Sequence, residues 1–334
     1  MADGAWQAMA IDGRQAVDLE QHGVQFRVAR AVQVAWKVGV WQRLLTGSAN
    51  AEQVAADCGL QAEPTERLLI LLASTGLAFR QPDGDFRLTD EGRALFDPAS
   101  PRYYGDGLSH MLGIADRWLA LEDSLRQPPT TGTGAPDMPP HIHRTFVMAM
   151  HDYSIRGRAQ WLAGNVDLRG REHLLDLGGG PGTYSIVLCE ANPTLCATIF
   201  DLCDTKALAE ANAARFGLSE RIGFIGGNFD TDDIGSGYDC ALASNVLHGE
   251  HHGSAQRLAR LRAAMAPGGL LLVQDFVIDD DGNGPLEAAM FGLHVGAYRV
   301  GEMIAVMEAA GFERVMLRGR GPAGNGLFTG VVPA

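Results

Sequence analysis

The sequence lacks several features that would place it in a common class of protein. Its five cysteines contain no C-x-x-C pair, so neither a disulfide framework nor a cysteine zinc site is indicated, and we expect reduced thiols. The 27 Lys and Arg are outnumbered by 40 Asp and Glu, and a net charge of -13 leaves little basic surface for nucleic-acid phosphates. No window is apolar over the length of a bilayer span, and the N-terminal stretch MADGAWQAMAIDGRQ lacks a signal-peptide pattern. We therefore expect a cytoplasmic protein that binds neither nucleic acid nor membrane.

What the sequence does contain begins with a small helical module that ends in a hairpin. Apolar residues at helical spacing run from Val24 to Ala35 and stop near Gly39. Asn50 and Gln53 have the spacing of a capping pair at the start of the next helix. Two short alternating runs, LAFRQ and FRLTD, flank turn residues at 82–85 and predict a β-hairpin. Helix, turn, helix and hairpin in this order predict a winged helix.

The charge of this module separates two roles that a winged helix can have. Residues 1–100 hold 13 Asp and Glu against 9 Lys and Arg, which favours a packing or dimerisation module over a DNA-binding one. A winged-helix regulator with a ligand-sensing domain stays open as an alternative. We place this domain at 1–105, a helical linker at 106–170 that includes the Pro- and Gly-rich loop 127–140, and a third region at 171–334.

Apolar runs alternate with helical stretches from about residue 172 onward. The runs are HLLDLGGG, ATIFDL, RIGFIGG, YDCALASNV and GLLLVQDFVI. Strands that alternate with helices in this way are typical of a parallel, doubly wound sheet with short loops between strand and helix. The sequence therefore predicts an α/β, Rossmann-like fold for the third region.

A glycine-rich loop in LLDLGGGPGTYS follows the first of these strands. Its glycines Gly178, Gly180 and Gly182 are spaced G-x-G-x-G, whereas a dinucleotide fingerprint needs G-x-G-x-x-G/A and a P-loop needs Gly-Lys-Ser/Thr. Asp176 stands two residues before the first glycine, where a carboxylate would repel a pyrophosphate. The same carboxylate would help to hold a ligand that carries ammonium and sulfonium charge, so the loop is suited to a cationic nucleoside.

The loop with its preceding acid resembles the first motif of class I S-adenosylmethionine-dependent methyltransferases, acid-x-G-x-G-x-G. Asp201 closes ATIFD, where the family has an acid for the ribose hydroxyls, although Asp201 alone would also serve as a helix cap. The resemblance implies adenine contacts at Asn228 and Phe229 and a further cofactor contact at Ser244. S-adenosylmethionine is therefore the expected cofactor.

More of the chain, from about Val24 to its end, resembles one subfamily. These are small-molecule O-methyltransferases with an N-terminal winged-helix dimerisation domain, such as the plant phenolic, hydroxyindole and bacterial polyketide enzymes. The resemblance implies a homodimer and a small aromatic or polyketide-like acceptor with a hydroxyl group. It places Met150, in FVMAMHDYS, in the acceptor pocket, although a buried core methionine is an equal alternative. His294, in FGLHVG, is a second residue expected near that pocket.

Methyl transfer to a phenol needs a group that removes the departing proton, because a phenol has a pKa of about 10. His248 follows the fourth strand of the sheet and resembles the general base of the family, and Asp275, at the end of the fifth strand, stands where the family has a carboxylate that orients the histidine. The family often continues this histidine with Asp-Trp, whereas Gly249 and Glu250 follow it here.

Two other kinds of chemistry stay open beside O-methylation. The first alternative is a carbon-methylating enzyme with a metal held by His248 and His294. Two histidines with no third ligand at a clear spacing make a weak metal signature, so we expect no metal. The fold has also been diverted in some members to other reactions that keep the cofactor.

Overall fold

The chain forms two compact units in a computed structural model that describes residues 19–126, 138–248 and 253–334. The units are Met1–Leu119 and Ala120–Ala334. Most of the loop 127–140 and residues 249–252 lie outside the described residues. None of the described helices is both long and apolar enough to cross a membrane.

The first unit contains the helices and the hairpin that the sequence predicts. Its elements are α1 (Leu19–Lys37), α2 (Val40–Leu45), α3 (Ala51–Cys58), α4 (Ala62–Ser74), β1 (Ala78–Arg80), β2 (Phe86–Leu88), α5 (Asp90–Phe96) and α6 (Gly105–Leu119). The capping box at the start of α3 is confirmed, since the Gln53 amide donates to Asn50 Oδ1 at 2.9 Å and the Asn50 amide donates to Gln53 Oε1 at 3.1 Å. The antiparallel pairing of β1 with β2 confirms the hairpin.

Aromatic packing holds the first unit together. The Trp41 and Phe96 rings are stacked with their centroids 4.4 Å apart, and both side chains are buried. Helix α6 joins this unit because Trp36 on α1 donates from Nε1 to Ser109 Oγ on α6 at 2.9 Å. The compact unit extends through α6 to Leu119.

The second unit is built on one sheet. Its helices are α7 (Leu121–Arg126), α8 (Pro140–Tyr153), α9 (Ala159–Gly164), α10 (Thr183–Ala191), α11 (Lys206–Arg215), α12 (Ser254–Ala264), α13 (Leu286–Val295) and α14 (Val300–Ala309). Its strands are β3 (His173–Leu177), β4 (Cys196–Asp201), β5 (Ile222–Gly226), β6 (Tyr238–Ser244), β7 (Met265–Asp275), β8 (Glu313–Arg320) and β9 (Gly326–Val331). The strand order is β5-β4-β3-β6-β7-β9-β8.

All five predicted strands are present, and β3 to β7 are parallel where they pair. The predicted doubly wound sheet is thus confirmed, and two further strands extend it, because β9 pairs antiparallel with both β7 and β8. The two last strands follow each other as a hairpin, and no helical crossover is needed between antiparallel neighbours.

The strand order places a ligand site at one edge of the sheet. The chain winds from β3 outward through β4 and β5, and then returns to the other side of β3 with β6 and β7. The order therefore reverses between β3 and β6, and ligands of open α/β sheets bind at the carboxyl ends of the strands at such a switch point. Asp176, Asp201, Ser244 and Asp275 lie at the last or next-to-last positions of four of these strands.

Candidate active site

The glycine loop connects β3 to α10, and its backbone demands glycine at three positions. Gly178, Gly180 and Gly182 have φ of 66°, 52° and 73°, in the left-handed region that side chains disfavour. Space is also limiting, because a Cβ atom would lie 2.6 Å from Val246 Cγ1 at Gly178 and 2.6 Å from Ile199 Cδ1 at Gly182. At Gly180 the nearest atom would be 3.9 Å away, so this part of the loop is open to a ligand.

Asp176 is buried beneath this loop. Its Oδ2 accepts a hydrogen bond from Ser185 Oγ at 2.7 Å, whereas its Oδ1 has no hydrogen-bond partner among the described residues. A Cβ atom at Gly179 would lie 2.6 Å from the carboxyl carbon, so the loop passes directly over the carboxylate. Burial raises the pKa of Asp176 to about 6, against the opposing hydrogen bond from Ser185. A buried carboxylate with one oxygen unpaired is suited to a cationic group of a ligand.

Asp201 ties the glycine loop to the end of β4. Its Oδ2 accepts a hydrogen bond from the Gly180 amide at 2.7 Å, and its Oδ1 accepts from the Leu202 amide at 2.7 Å and from Thr205 Oγ1 at 3.3 Å. Burial raises the pKa of Asp201, and the two amides oppose the rise. Because each carboxylate oxygen can accept about two hydrogen bonds, Oδ2 keeps capacity for a ligand hydroxyl. The bond to Gly180 is a structural role that the sequence did not predict.

The loop after β5 carries the two residues predicted to contact adenine. Asn228 is exposed and closes a turn. Its Oδ1 accepts a hydrogen bond from the backbone amide of Asp230 at 2.9 Å, and the backbone amide of Asn228 donates to Asp232 Oδ2 at 2.9 Å. Phe229 is half-buried, and its Cε1 would lie 3.5 Å from a Cβ atom at Gly178. The aromatic ring thus lies beside the start of the glycine loop, and Asn228 uses its side chain within its own turn.

His248 and Asp275 lie together at the ends of β6 and β7. His248 Nδ1 is 3.1 Å from Asp275 Oδ1, and the backbone amides of Leu247 and His248 donate to Oδ2 at 3.2 and 3.3 Å. The Phe276 amide donates to Oδ1 at 2.8 Å. Burial by itself would raise the pKa of Asp275, but the charge of His248 and the hydrogen bonds from His248 and Leu247 outweigh it, so this pKa is lowered. The structure therefore brings together the pair that the sequence proposed.

The backbone and the neighbours of His248 both restrict its ring. Its φ is 27°, an uncommon value for a residue other than glycine. The Phe291 ring of α13 lies 5.0 Å from the His248 ring, and Phe291 in turn stacks on Phe276 at 4.5 Å. A strained residue whose backbone amide and ring both bond one carboxylate is typical of a functional position.

The remaining predicted residues occupy the borders of this edge. Ser244 ends β6, is half-buried and accepts a hydrogen bond from Asn245 Nδ2 at 3.3 Å. Met150 is a half-buried residue of α8. His294 belongs to α13, but its side chain lies outside the described residues. The part of the chain that the structure describes contains no group of three or more His, Cys, Asp or Glu arranged to hold a metal.

Two buried histidines of α8 contact the residues that follow the glycine loop and β4, and the sequence prediction missed both. His151 Nδ1 lies 2.8 Å from Oγ1 of Thr183, the residue that follows the glycine loop, and His143 Nδ1 lies 3.0 Å from Asp204 Oδ2. Burial, followed by the charge of Arg215, lowers the pKa of His151 to about 4. The eight-residue spacing of the histidines, with Val147 between them, is the helical signal that would have identified this face.

Comparisons with known proteins agree with the fold and with the predicted family. The model of the O-methyltransferase domain family matches residues 133–316. A 3-hydroxy-5-methyl-1-naphthoate 3-O-methyltransferase from Streptomyces sahachiroi is 31% identical over 312 residues, which cover 89% of this chain and 90% of the relative. The tetracenomycin polyketide synthesis 8-O-methyl transferase from Streptomyces glaucescens is 28% identical over 276 residues, 79% of each chain.

A solved structure extends the likeness to the fold of both units. Human N-acetylserotonin methyltransferase in complex with S-adenosylmethionine matches with a TM-score of 0.81 at 22% identity, over 96% of this chain and 99% of that chain. The family match covers more than half of the chain, and the naphthoate enzyme matches along nearly all of it. The family predicted from the sequence is thus confirmed: the chain belongs to the O-methyltransferase family.

Proposed function

We propose that this protein transfers a methyl group from S-adenosylmethionine to a hydroxyl group of an aromatic, polyketide-like acceptor. The observation that carries the proposal is the His248–Asp275 pair, which lies at the same sheet edge as the glycine loop, the buried Asp176 and the half-buried Asp201. A base and a site for a cationic nucleoside at one edge are what methyl transfer to a hydroxyl requires. The relatives from Streptomyces, which methylate hydroxyl groups of a naphthoate and of a polyketide, support this class of acceptor.

The residues at the ends of β3 to β6 would hold the cofactor, whose sulfonium supplies an activated methyl group. Asp176 would offer its unpaired Oδ1 to the ammonium group, and Asp201 would accept from the ribose hydroxyls. Phe229, with Asn228 beside it, would contact the adenine. The backbone at Gly178, Gly180 and Gly182 allows close approach of the ligand, and Ser244 would border the site beyond β3.

His248 would act on the acceptor as general base. Its Nδ1 is held by the Asp275 carboxylate, so its Nε2 would accept the proton of the acceptor hydroxyl. Asp275 would keep the ring in one tautomer and stabilise the imidazolium that forms, as an orienting carboxylate does in catalytic triads. Met150 on α8 and His294 on α13 would contribute to the acceptor pocket.

An acceptor screen tests the function and separates it from the carbon-methylating alternative. We expect incubation with S-adenosylmethionine labelled in its methyl group to label hydroxylated naphthoates or related aromatic acids, and to leave analogues without the hydroxyl unlabelled. Carbon NMR of the product should then show a methoxy group. A product methylated on carbon, or transfer that disappears with a chelator and returns with a metal, would instead support the alternative.

We also propose a homodimer formed by the first unit. Helices α1 and α6 border a groove of about 400 Å³ that includes Phe26, Met111, Ile114, Trp118 and Leu119. Phe26 is 57% exposed and Leu119 is 64% exposed, which is unusual for a set of large apolar side chains on one surface. A second copy of the chain would cover this surface in a two-fold arrangement.

We expect Phe26→Glu to shift the protein from dimer to monomer, because it would place a charge within an apolar interface. Sedimentation at several concentrations measures the shift. Phe79→Glu, at a 42% exposed position of the hairpin, is the matched control and should stay dimeric. A wild-type protein that sediments as a monomer at every concentration would refute the dimer.

A further inference from the structure

Arg257 of α12 makes a set of contacts that the proposed site has not used. Its side chain is only 14% exposed. Nε and Nη2 donate to the two carboxylate oxygens of Asp230 at 2.6 and 2.8 Å, and Nη1 donates to the Val246 carbonyl at 2.5 Å. The guanidinium carbon also lies 4.6 Å from the centre of the Phe229 ring. One side chain thus makes a two-pronged ion pair, a backbone hydrogen bond and a cation–π contact.

These partners come from two loops at the carboxyl edge of the sheet. Phe229 and Asp230 belong to the loop after β5, and Val246 belongs to the loop after β6, two residues before His248. Val246 and Phe229 also border the glycine loop, because a Cβ atom at Gly178 would lie 2.6 Å from the first and 3.5 Å from the second. Arg257 is therefore the common anchor of the chain segments that enclose the proposed adenine end of the cofactor site.

We infer that Arg257 is a positioning residue for the cofactor, which holds the Phe229 ring and the Val246 backbone in the places that nucleoside binding requires. The inference rests on the proposed contact of Phe229 with adenine. Arginine suits this role because its planar fork can engage a carboxylate with two nitrogens, donate a third hydrogen bond and lie against an aromatic ring at the same time. Lysine has one compact ammonium group and cannot reproduce that combination.

The test is Arg257→Lys, which keeps the charge and removes the fork and the stacking surface. We expect the affinity for S-adenosylhomocysteine, measured by calorimetry on the full chain, to fall by about tenfold, on the scale of a lost cation–π contact and charge-assisted bond. The KM for the cofactor should rise by a larger factor than the factor by which the turnover number at saturating cofactor falls. Phe229→Leu should weaken binding as well, and the double variant should lose less than the product of the two effects, because both changes act through the same ring.

Arg43→Lys in the first unit is the matched control. Arg43 has a side chain that is 21% exposed, donates from Nε to Asp57 Oδ2 at 2.5 Å and also bonds a backbone carbonyl, that of Gly47 at 3.4 Å. The Arg43→Lys substitution should lower the melting temperature about as much as Arg257→Lys does and should leave cofactor affinity unchanged.

Three outcomes would overturn the inference. Unchanged affinity in Arg257→Lys would contradict it, and so would a loss of affinity that disappears after correction for the folded fraction. Strict additivity with Phe229→Leu would contradict the route through the ring. A wild-type protein that fails to bind S-adenosylhomocysteine would instead contradict the proposed cofactor and this inference together, so the two failures are distinguishable.

Discussion

Replacing His248 with Gln should lower the turnover number by about 100-fold or more, the usual scale for removing a general base, and should change cofactor affinity little. The reason is that the proposed base acts on the acceptor hydroxyl in the transition state, whereas the cofactor would be held by Asp176 and Asp201. Steady-state kinetics with the acceptor identified by the screen, together with calorimetry with S-adenosylhomocysteine, measure the two quantities.

A second variant keeps this result interpretable. His248 has a φ of 27°, and Asn tolerates this backbone region better than Gln does, so His248→Asn tests the loss of the imidazole with less strain. His173→Gln changes an exposed histidine at the opposite end of the sheet, at the start of β3, and should retain full turnover. Turnover within about threefold of wild type in both His248 variants would refute the base, since general bases contribute far more than that. A stoichiometric metal that is lost with activity would favour the metal alternative.

Much of the fold could be predicted because its signals are local. The apolar runs identified β3 to β7, and the spacing of Asn50 and Gln53 identified a cap that depends on two side chains three residues apart. The glycine loop was also a local signal, since its positive φ values and tight contacts with Val246 and Ile199 require residues without a side chain. The pairing of His248 with Asp275 was implied by the resemblance to the family, in whose sheet the two strands are neighbours.

What the sequence could not show depends on contacts between residues far apart along the chain. In the sequence, Arg257 is one of several basic residues of a helix, and only the fold brings its side chain to Asp230 and Phe229. His151 is 32 residues from Thr183, so the contact between these two side chains has no local signature. Asp201 was expected to contact a ligand, whereas its bond to the Gly180 amide also makes it a support of the loop. Residues that position a site are harder to predict than residues that line it.

Two buried aspartates at this sheet edge have pKa values shifted in opposite directions. Burial raises the pKa of Asp176 to about 6, whereas the charge of His248 and three hydrogen bonds from His248 and Leu247 outweigh burial and lower the pKa of Asp275. For Asp176 the folded-state pKa lies above the unfolded value, so its contribution to stability is full below about pH 4 and is lost as the pH rises through about 6. For Asp275 the contribution is present above the unfolded pKa and is lost as the pH falls.

The same substitution at the two positions should therefore have opposite effects on the cofactor-free protein. Because the pKa of Asp176 is raised to about 6, the ionised carboxylate costs about 3 kcal/mol of stability at neutral pH. We expect Asp176→Asn to raise the melting temperature at neutral pH, with a gain that shrinks toward pH 4, because the amide has no charge to bury. Asp275→Asn should lower the melting temperature at neutral pH, since it leaves the partners of a carboxylate without their acceptor.

Cofactor binding should respond to Asp176→Asn in the opposite sense from stability. The variant loses the carboxylate that would face the ammonium group, so affinity for S-adenosylhomocysteine should fall by about tenfold or more, the scale of a hydrogen bond between charged groups. In the wild type this affinity should decline as the pH drops below about 6 and Asp176 becomes protonated, and in the variant that decline should be absent. Calorimetry across this pH range and thermal melts of the same samples measure both effects. A variant that is less stable than wild type at neutral pH and binds the ligand with unchanged affinity would show that Asp176 supports the loop and does not hold the cofactor.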